Sequence, residues 1–179
     1  MKDIEFIYNV LMSDDVENTI KENQEELLKI IPELKNEIGF DHKHPHHHLD
    51  VWNHTLLALS MSIKDFDVRL ALLLHDIGKP FSYQEEEGIR HFDGHPDVSE
   101  KITKKVLKRI GIKNNKIKEI CYLIKYHDLP ITEKDLNKML ELSLKRYEIQ
   151  RCDALAHHPD KLEKRIKYLN EVKEKIKKV

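Results

Sequence analysis

The sequence predicts an all-α fold, a single-domain helical bundle, and three observations carry that prediction. Glycine and proline are scarce, five and six in 179 residues, while Leu, Ile, Glu and Lys recur in long stretches that favour helix. Apolar positions repeat at helical spacing, and no segment alternates cleanly enough to read as a strand. The length is sufficient for one hydrophobic core.

The elements follow in order. Ile4, Ile7, Tyr8 and Leu11 mark a helix over 3–12. Asp14 or Asp15 caps a second helix running to about Ile31, where Pro32 breaks it. These two flank the core or cover it as a lid. Residues 36–50 are irregular and rich in histidine, from His42 to His48. Asp50 caps a helix from Val51 to about Ser62, and Asp65 or Asp67 starts the next one, which ends at His75-Asp76. A loop over 80–95 follows. Pro96 suits the first turn of a helix to about Arg109, which Gly111 ends. A helix over 114–127 ends at His127-Asp128, and Pro130 closes it. Thr132 with Asp135 reads as an N-cap with an acidic first turn, opening a short helix over 133–141. Ser143 opens a helix carrying Tyr147, Arg151, Asp153, Ala154 and His157, and Pro159 separates it from an amphipathic helix over 160–177.

Charge and cysteine content narrow the function. The formal net charge is −1, so no extended nucleic-acid surface is expected. The Lys-rich end alternates with Glu and reads as a solvated helix face. Cys121 and Cys152 lie far apart in apolar helical patterns, as small core residues of a reducing compartment do. There is no signal-peptide layout, and no apolar run approaches the ~18 residues of a membrane span. A cytoplasmic protein without membrane association is the expectation.

Chemistry concentrates at Leu70-Ala71-Leu72-Leu73-Leu74-His75-Asp76-Ile77-Gly78-Lys79-Pro80. A helix apolar on every side is buried, and an imidazole beside a carboxylate at its end must be paired or bound to a metal. The doublet alone is equally a hydrogen-bonded pair capping a core helix. His54, His95, His127 and Asp153 also lie on inward faces, helix ends or helix entries, where a bundle can assemble a metal site. Asp76 would bridge two divalent ions. His54, His75 and Asp153 would complete one, and His95 and His127 would bind the other. His91 shares a loop with His95 and is its alternative.

The order of these residues resembles the HD superfamily of metal-dependent phosphohydrolases, with its pattern H…HD…D and two further histidines in dinuclear members. His54, His75-Asp76 and Asp153 match the basic pattern, and His95 and His127 the extra pair. His48-Leu49-Asp50-Val51-Trp52-Asn53-His54-Thr55, Phe92-Asp93-Gly94-His95 and Arg151-Cys152-Asp153-Ala154-Leu155-Ala156-His157 are similar to the HD domain attached to bacterial tRNA nucleotidyltransferases. The likeness covers roughly 32–158. It divides the chain into flanking helices (1–31), an HD core (32–158) and a C-terminal helix (159–179). About forty residues precede His44, too few for a nucleotidyltransferase head, so the expectation is a freestanding HD hydrolase.

The resemblance implies hydrolysis of a small phosphoester, a nucleotide or cyclic nucleotide, by a metal-activated water. The metal could be Fe, Mn, Ni, Co, Zn or Mg, with two ions about 3.5–4 Å apart clamping the phosphoryl group. Asp76 would orient them. Lys79 would neutralise charge on phosphate oxygens, or serve only the helix dipole. His46, His47 and Arg151 are further phosphate-binding candidates, and the 42–48 loop lines an anionic pocket or is merely surface. Asp128 is a possible partner of the ligand histidines. The alternative is a catalytically weak, metal-containing module that binds a nucleotide or an RNA end.

Overall fold

The apolar run before His75 forms the axis of the molecule. In the computed structural model, which describes residues 2–179, ten α-helices are seen among those residues. They are α1 (Lys2–Leu11), α2 (Val16–Glu22), α3 (Gln24–Ile30), α4 (Val51–Ser60), α5 (Phe66–Leu74), α6 (His95–Arg109), α7 (Asn114–Lys125), α8 (Glu133–Lys138), α9 (Leu140–Leu155) and α10 (Glu163–Ile176). In α5 every residue from Asp67 to Leu74 is buried, because α1, α4, α7 and α9 all pack against it. Each fully buried leucine there contributes about 1.5–3 kcal/mol. Helix α6 packs on α7, and α8 and α10 pack on α9.

Local chemistry sets the helix starts. Asp50 accepts from Asn53 N at 2.7 Å to cap α4, and Asp65 accepts from Val68 N at 2.9 Å to cap α5. Thr132 and Asp135 form a reciprocal capping box on α8. Asp15, not Asp14, caps α2; Asp14 pairs with Lys64 at 2.6 Å.

The structure departs from the sequence expectation in four places. The helix expected over 14–31 is two helices. Asn23 breaks it, its side-chain amide donating to Thr19 O at 2.8 Å in competition with the backbone ladder. The loop 80–95 contains a hairpin, β1 (Gln84–Glu86) paired antiparallel with β2 (Ile89–His91). Glu87 and Gly88 turn it with φ of +52° and +80°, as a two-residue primed turn requires. Helix α9 starts at Leu140 rather than Ser143, directly after a break at Met139. Residues 159–161 are a 3-10 turn, so α10 starts at Glu163.

The main core runs through the bundle, with Ile7, Val10, Ile20 and Leu27 of the N-terminal helices in the same cluster as Leu70–Leu74, and a smaller cluster of Ile131, Leu136 and Val172 lies beside it. Helices α1–α3 are therefore part of the wall that holds α5, not a lid over it. Both cysteines are free and buried. No helix among the described residues is long and apolar enough to cross a membrane.

Candidate metal centre

Five separate segments deliver side chains to one end of α5. His75 is the residue that caps α5, and Asp76 follows it. His54 comes from the inner face of α4, and Asp153 from the last turn of α9. His95 opens α6, and His127 lies just beyond α7. All six are buried.

Gly78 brings two of these segments together. Its N–H donates to Ser99 Oγ at 2.9 Å, and a Cβ placed on it would meet Ser99 N at 2.5 Å and His95 O at 2.7 Å. Only glycine lets the turn after Asp76 lie against the first turn of α6. At the other end of that turn, Gly94 takes φ +76°, a left-handed conformation that glycine adopts without strain.

Three of the four imidazoles are oriented by the same local device. Nδ1 of His75, His95 and His127 lies 2.7, 2.9 and 2.6 Å from the carbonyl three residues earlier, Leu72, Phe92 and Ile124. The carbonyls of Leu72 and Ile124 are among the last of α5 and α7, where the regular helical ladder runs out. His54 sits mid-helix and reaches Ala156 O at 3.2 Å instead. In each case Nδ1–H donates to the carbonyl, which fixes the tautomer and leaves Nε2 facing the centre, as metal-ligating histidines require.

Around the centre, His54 Nε2 is 2.9 Å from Asp153 Oδ1, and His75 Nε2 is 3.3 Å from Asp76 Oδ2 and 3.6 Å from Asp153 Oδ1. On the other side of Asp76, Oδ1 is 3.2 Å from His95 Nε2 and 4.0 Å from His127 Nε2. Two groups result, His54/His75/Asp76/Asp153 and Asp76/His95/His127, with the donor atoms of each within 4.8 Å of one another and Asp76 common to both. Neither oxygen of Asp76 nor His75 Nε2 has a well-aligned hydrogen-bond partner, although all are fully buried. Buried polar atoms are rarely left so. A donor set of imidazole nitrogens and carboxylate oxygens suits divalent transition metals, so these residues fit such ions.

Electrostatics follow the same geometry. Burial opposes ionisation of Asp76, but the His75 ring, the Lys79 ammonium and His95 outweigh it and hold the carboxyl well below its usual range. Asp153 is likewise held down, against burial, by His157, His54 and His75. Burial lowers the His127 pKa.

The centre opens into a cleft of about 610 Å³ lined by Asp76, Lys79, His95, His127 and Asp153. A family model described as the HD domain matches residues 46–169, which include all six centre residues. The chain belongs to the HD-domain family. Over 112 residues it is 33% identical to the A-adding tRNA nucleotidyltransferase of Deinococcus radiodurans, a match covering 59% of this chain and 26% of that protein. Over 132 residues it is 29% identical to the CC-adding tRNA nucleotidyltransferase of Thermus thermophilus, covering 70% of this chain and 29% of that protein. The similarity thus spans between a quarter and a third of each relative.

The other residues singled out in the HD domain fall in different places. Lys79 is buried, with Nζ 2.7 Å from Asp76 Oδ2 and donating to His42 Nε2 at 3.2 Å. His47 lines the cleft and stacks on His42 with ring centroids 3.6 Å apart. His46 is not among the lining residues; it stacks on His44, which is. Arg151 corrects the expectation of a phosphate ligand. It turns away from Asp153 to Glu148, at 2.6 and 2.8 Å, and to Met61 O at 2.7 Å. Two residues along a helix point in nearly opposite directions, so with Asp153 inward Arg151 cannot also face the cleft. His91 lines the cleft rim, but only His95 reaches Asp76. Asp128 stands 3.4 Å from both His95 Nε2 and His127 Nε2.

Sequence reasoning missed Glu37 and Arg165, and it named His42 only as part of the 42–48 loop. Glu37 is fully buried with both carboxylate oxygens unpartnered, and burial, with Asp76 adding to it, pushes its pKa well above the usual range. His42 is pushed down to about 2 by burial and the Lys79 charge, so it stays neutral and accepts from Lys79. Arg165 reaches the cleft from α10, where a Lys/Glu-rich pattern gave no sign of it.

Proposed function

We propose that this HD domain is a metal-dependent phosphohydrolase acting on a small phosphoester, a nucleotide or cyclic nucleotide, by a metal-activated water. One observation carries the reading: a single buried carboxylate, Asp76, is shared by two groups of ligand atoms at the floor of an open cleft. His54, His75, Asp76 and Asp153 would hold one divalent ion, and Asp76, His95 and His127 a second. When bound, such ions supply Lewis acidity, acidifying water and offsetting phosphoryl charge.

The chain's own groups do the rest. The carbonyl-anchored imidazoles need no rearrangement to present Nε2. Lys79 has three N–H donors; one goes to His42, and with Asp76 Oδ2 only an ion-pair contact at 2.7 Å, Nζ can donate to a phosphoryl oxygen in the transition state. Burial of the floor keeps its dielectric low, which strengthens that contact.

Elemental analysis of the purified protein is expected to find two divalent metals per chain. With Mn, Fe, Ni, Co or Mg, a screen of phosphomonoesters, 2′,3′- and 3′,5′-cyclic nucleotides and dinucleoside polyphosphates should show metal-dependent turnover. Asp76→Ala should lower that turnover by more than about a hundredfold. Turnover that survives in this variant would overturn the reading. A second reading, a catalytically weak module that binds a nucleotide or RNA end, is favoured by the relatives being tRNA nucleotidyltransferases. It predicts tight nucleotide binding with no product.

A further inference from the structure

Most cations in the cleft wall already have partners. Lys79 is held by Asp76 and His42, Arg90 by Glu85 at 3.0 Å and Asp41 O at 2.6 Å, and Lys125 by Asp97 at 3.0 Å. Arg165 differs. Its closest acidic neighbour among the described residues is Asp153 Oδ2, at 3.7 Å from Nη1, and its side chain is 39% exposed. A pair that long and that open contributes little, and Asp153 is fixed from its other oxygen by His54. The guanidinium therefore faces the cleft with its donors free. It also faces the adjoining pocket of about 190 Å³ lined by Tyr168 and Leu169.

His44 and His91 line the same rim. Burial, helped by Arg165, Lys161 and Lys164, lowers the His46 pKa, so His46 is neutral and the charge on this side of the cleft is carried by the Arg165 guanidinium. The acidic lining residues are Asp76, Asp93, Asp97, Asp128 and Asp153, of which Asp128 and Asp153 also line the adjoining pocket with Arg165. A guanidinium with free donors suits a phosphate's paired oxygens.

We propose that Arg165 is the anchor of a second phosphate subsite, so that the substrate class is a nucleotide with at least two linked phosphoryl groups. This rests on the phosphohydrolase reading for the first subsite, at Asp76 and Lys79. The two subsites are spaced by Asp153, whose Oδ1 faces the imidazoles and whose Oδ2 faces Arg165.

The test uses the full chain loaded with Mn, with inorganic phosphate and inorganic pyrophosphate as competing probes of binding. In the native protein pyrophosphate should bind at least about tenfold more tightly than phosphate. Arg165→Ala should close most of that gap, leave phosphate binding and metal content as they were, and unfold at the native temperature. Arg165→Lys should restore part of the gap. Equal affinity for the two probes in the native protein would overturn the proposal. So would an equal weakening of both probes with loss of metal in Arg165→Ala, since Arg165 would then act only through Asp153. If the native protein carries no metal but the gap and its loss persist, the subsite stands and the hydrolase reading falls.

Discussion

Arg151 lies within one of the motif stretches that match the family and His42 outside all of them, yet His42 serves the centre and Arg151 turns away from it. Arg151 makes two hydrogen bonds to Glu148 and one to Met61 O, and Glu148 in turn accepts from Ile63 N at 3.1 Å. Arg151→Ala should therefore cost about 2 kcal/mol of stability, read as a lower midpoint in urea, with turnover unchanged. His42→Ala should lower kcat about tenfold at unchanged metal content, because Lys79 loses the acceptor that aims it, and the cavity left by the buried ring should also lower the unfolding midpoint. His42→Asn, which keeps an acceptor, should recover part of the rate. At this scale the sequence was informative wherever a residue's type and its helical position agreed. His54 on an apolar face, His95 at a helix entry and Asp153 one turn from a helix end all point to the centre. Arg151 misled because the family text surrounds it, and a motif string carries no information about which way an intervening side chain turns.

At the level of elements, the helices with strong caps were legible and the hairpin was not. Asp50 and Thr132 announce their helices by chemistry that acts within three residues. The strands Gln84–Glu86 and Ile89–His91 are almost wholly exposed, so no buried face imposes an alternating pattern on their sequence. Asn23 hid a break because its effect is a single competing hydrogen bond inside an otherwise regular pattern. The junction between elements most sensitive to change is Gly78. Gly78→Ala forces a methyl against backbone atoms of α6, which cannot give way as a flexible side chain would. Overpacking of this kind costs about 1–3 kcal/mol. Differential scanning calorimetry should show the lower melting point, and elemental analysis should show preferential loss of the metal held by His95 and His127.

For the whole molecule, Asp67 ties the bundle together. It receives Lys116 of α7 at 2.8 Å and Lys145 of α9 at 2.7 Å. Burial raises its pKa, but the two ammonium groups outweigh burial and hold it below the ordinary value of 3.8. A carboxylate depressed in the folded state contributes stability above its unfolded pKa and loses it as pH falls through the folded one. Acid denaturation below about pH 4 should therefore be shallower in Asp67→Asn than in the native protein, although the variant is less stable at neutral pH; urea titrations at pH 3, 4 and 7 read both effects. The imidazole anchors have a molecule-wide consequence as well. Because terminal carbonyls of α5 and α7 select which ring nitrogen carries hydrogen, the lone pairs of the centre are set by the act of folding itself. Ions should thus enter and exchange without any conformational step, and the helical circular dichroism of the folded chain should be nearly the same with and without them.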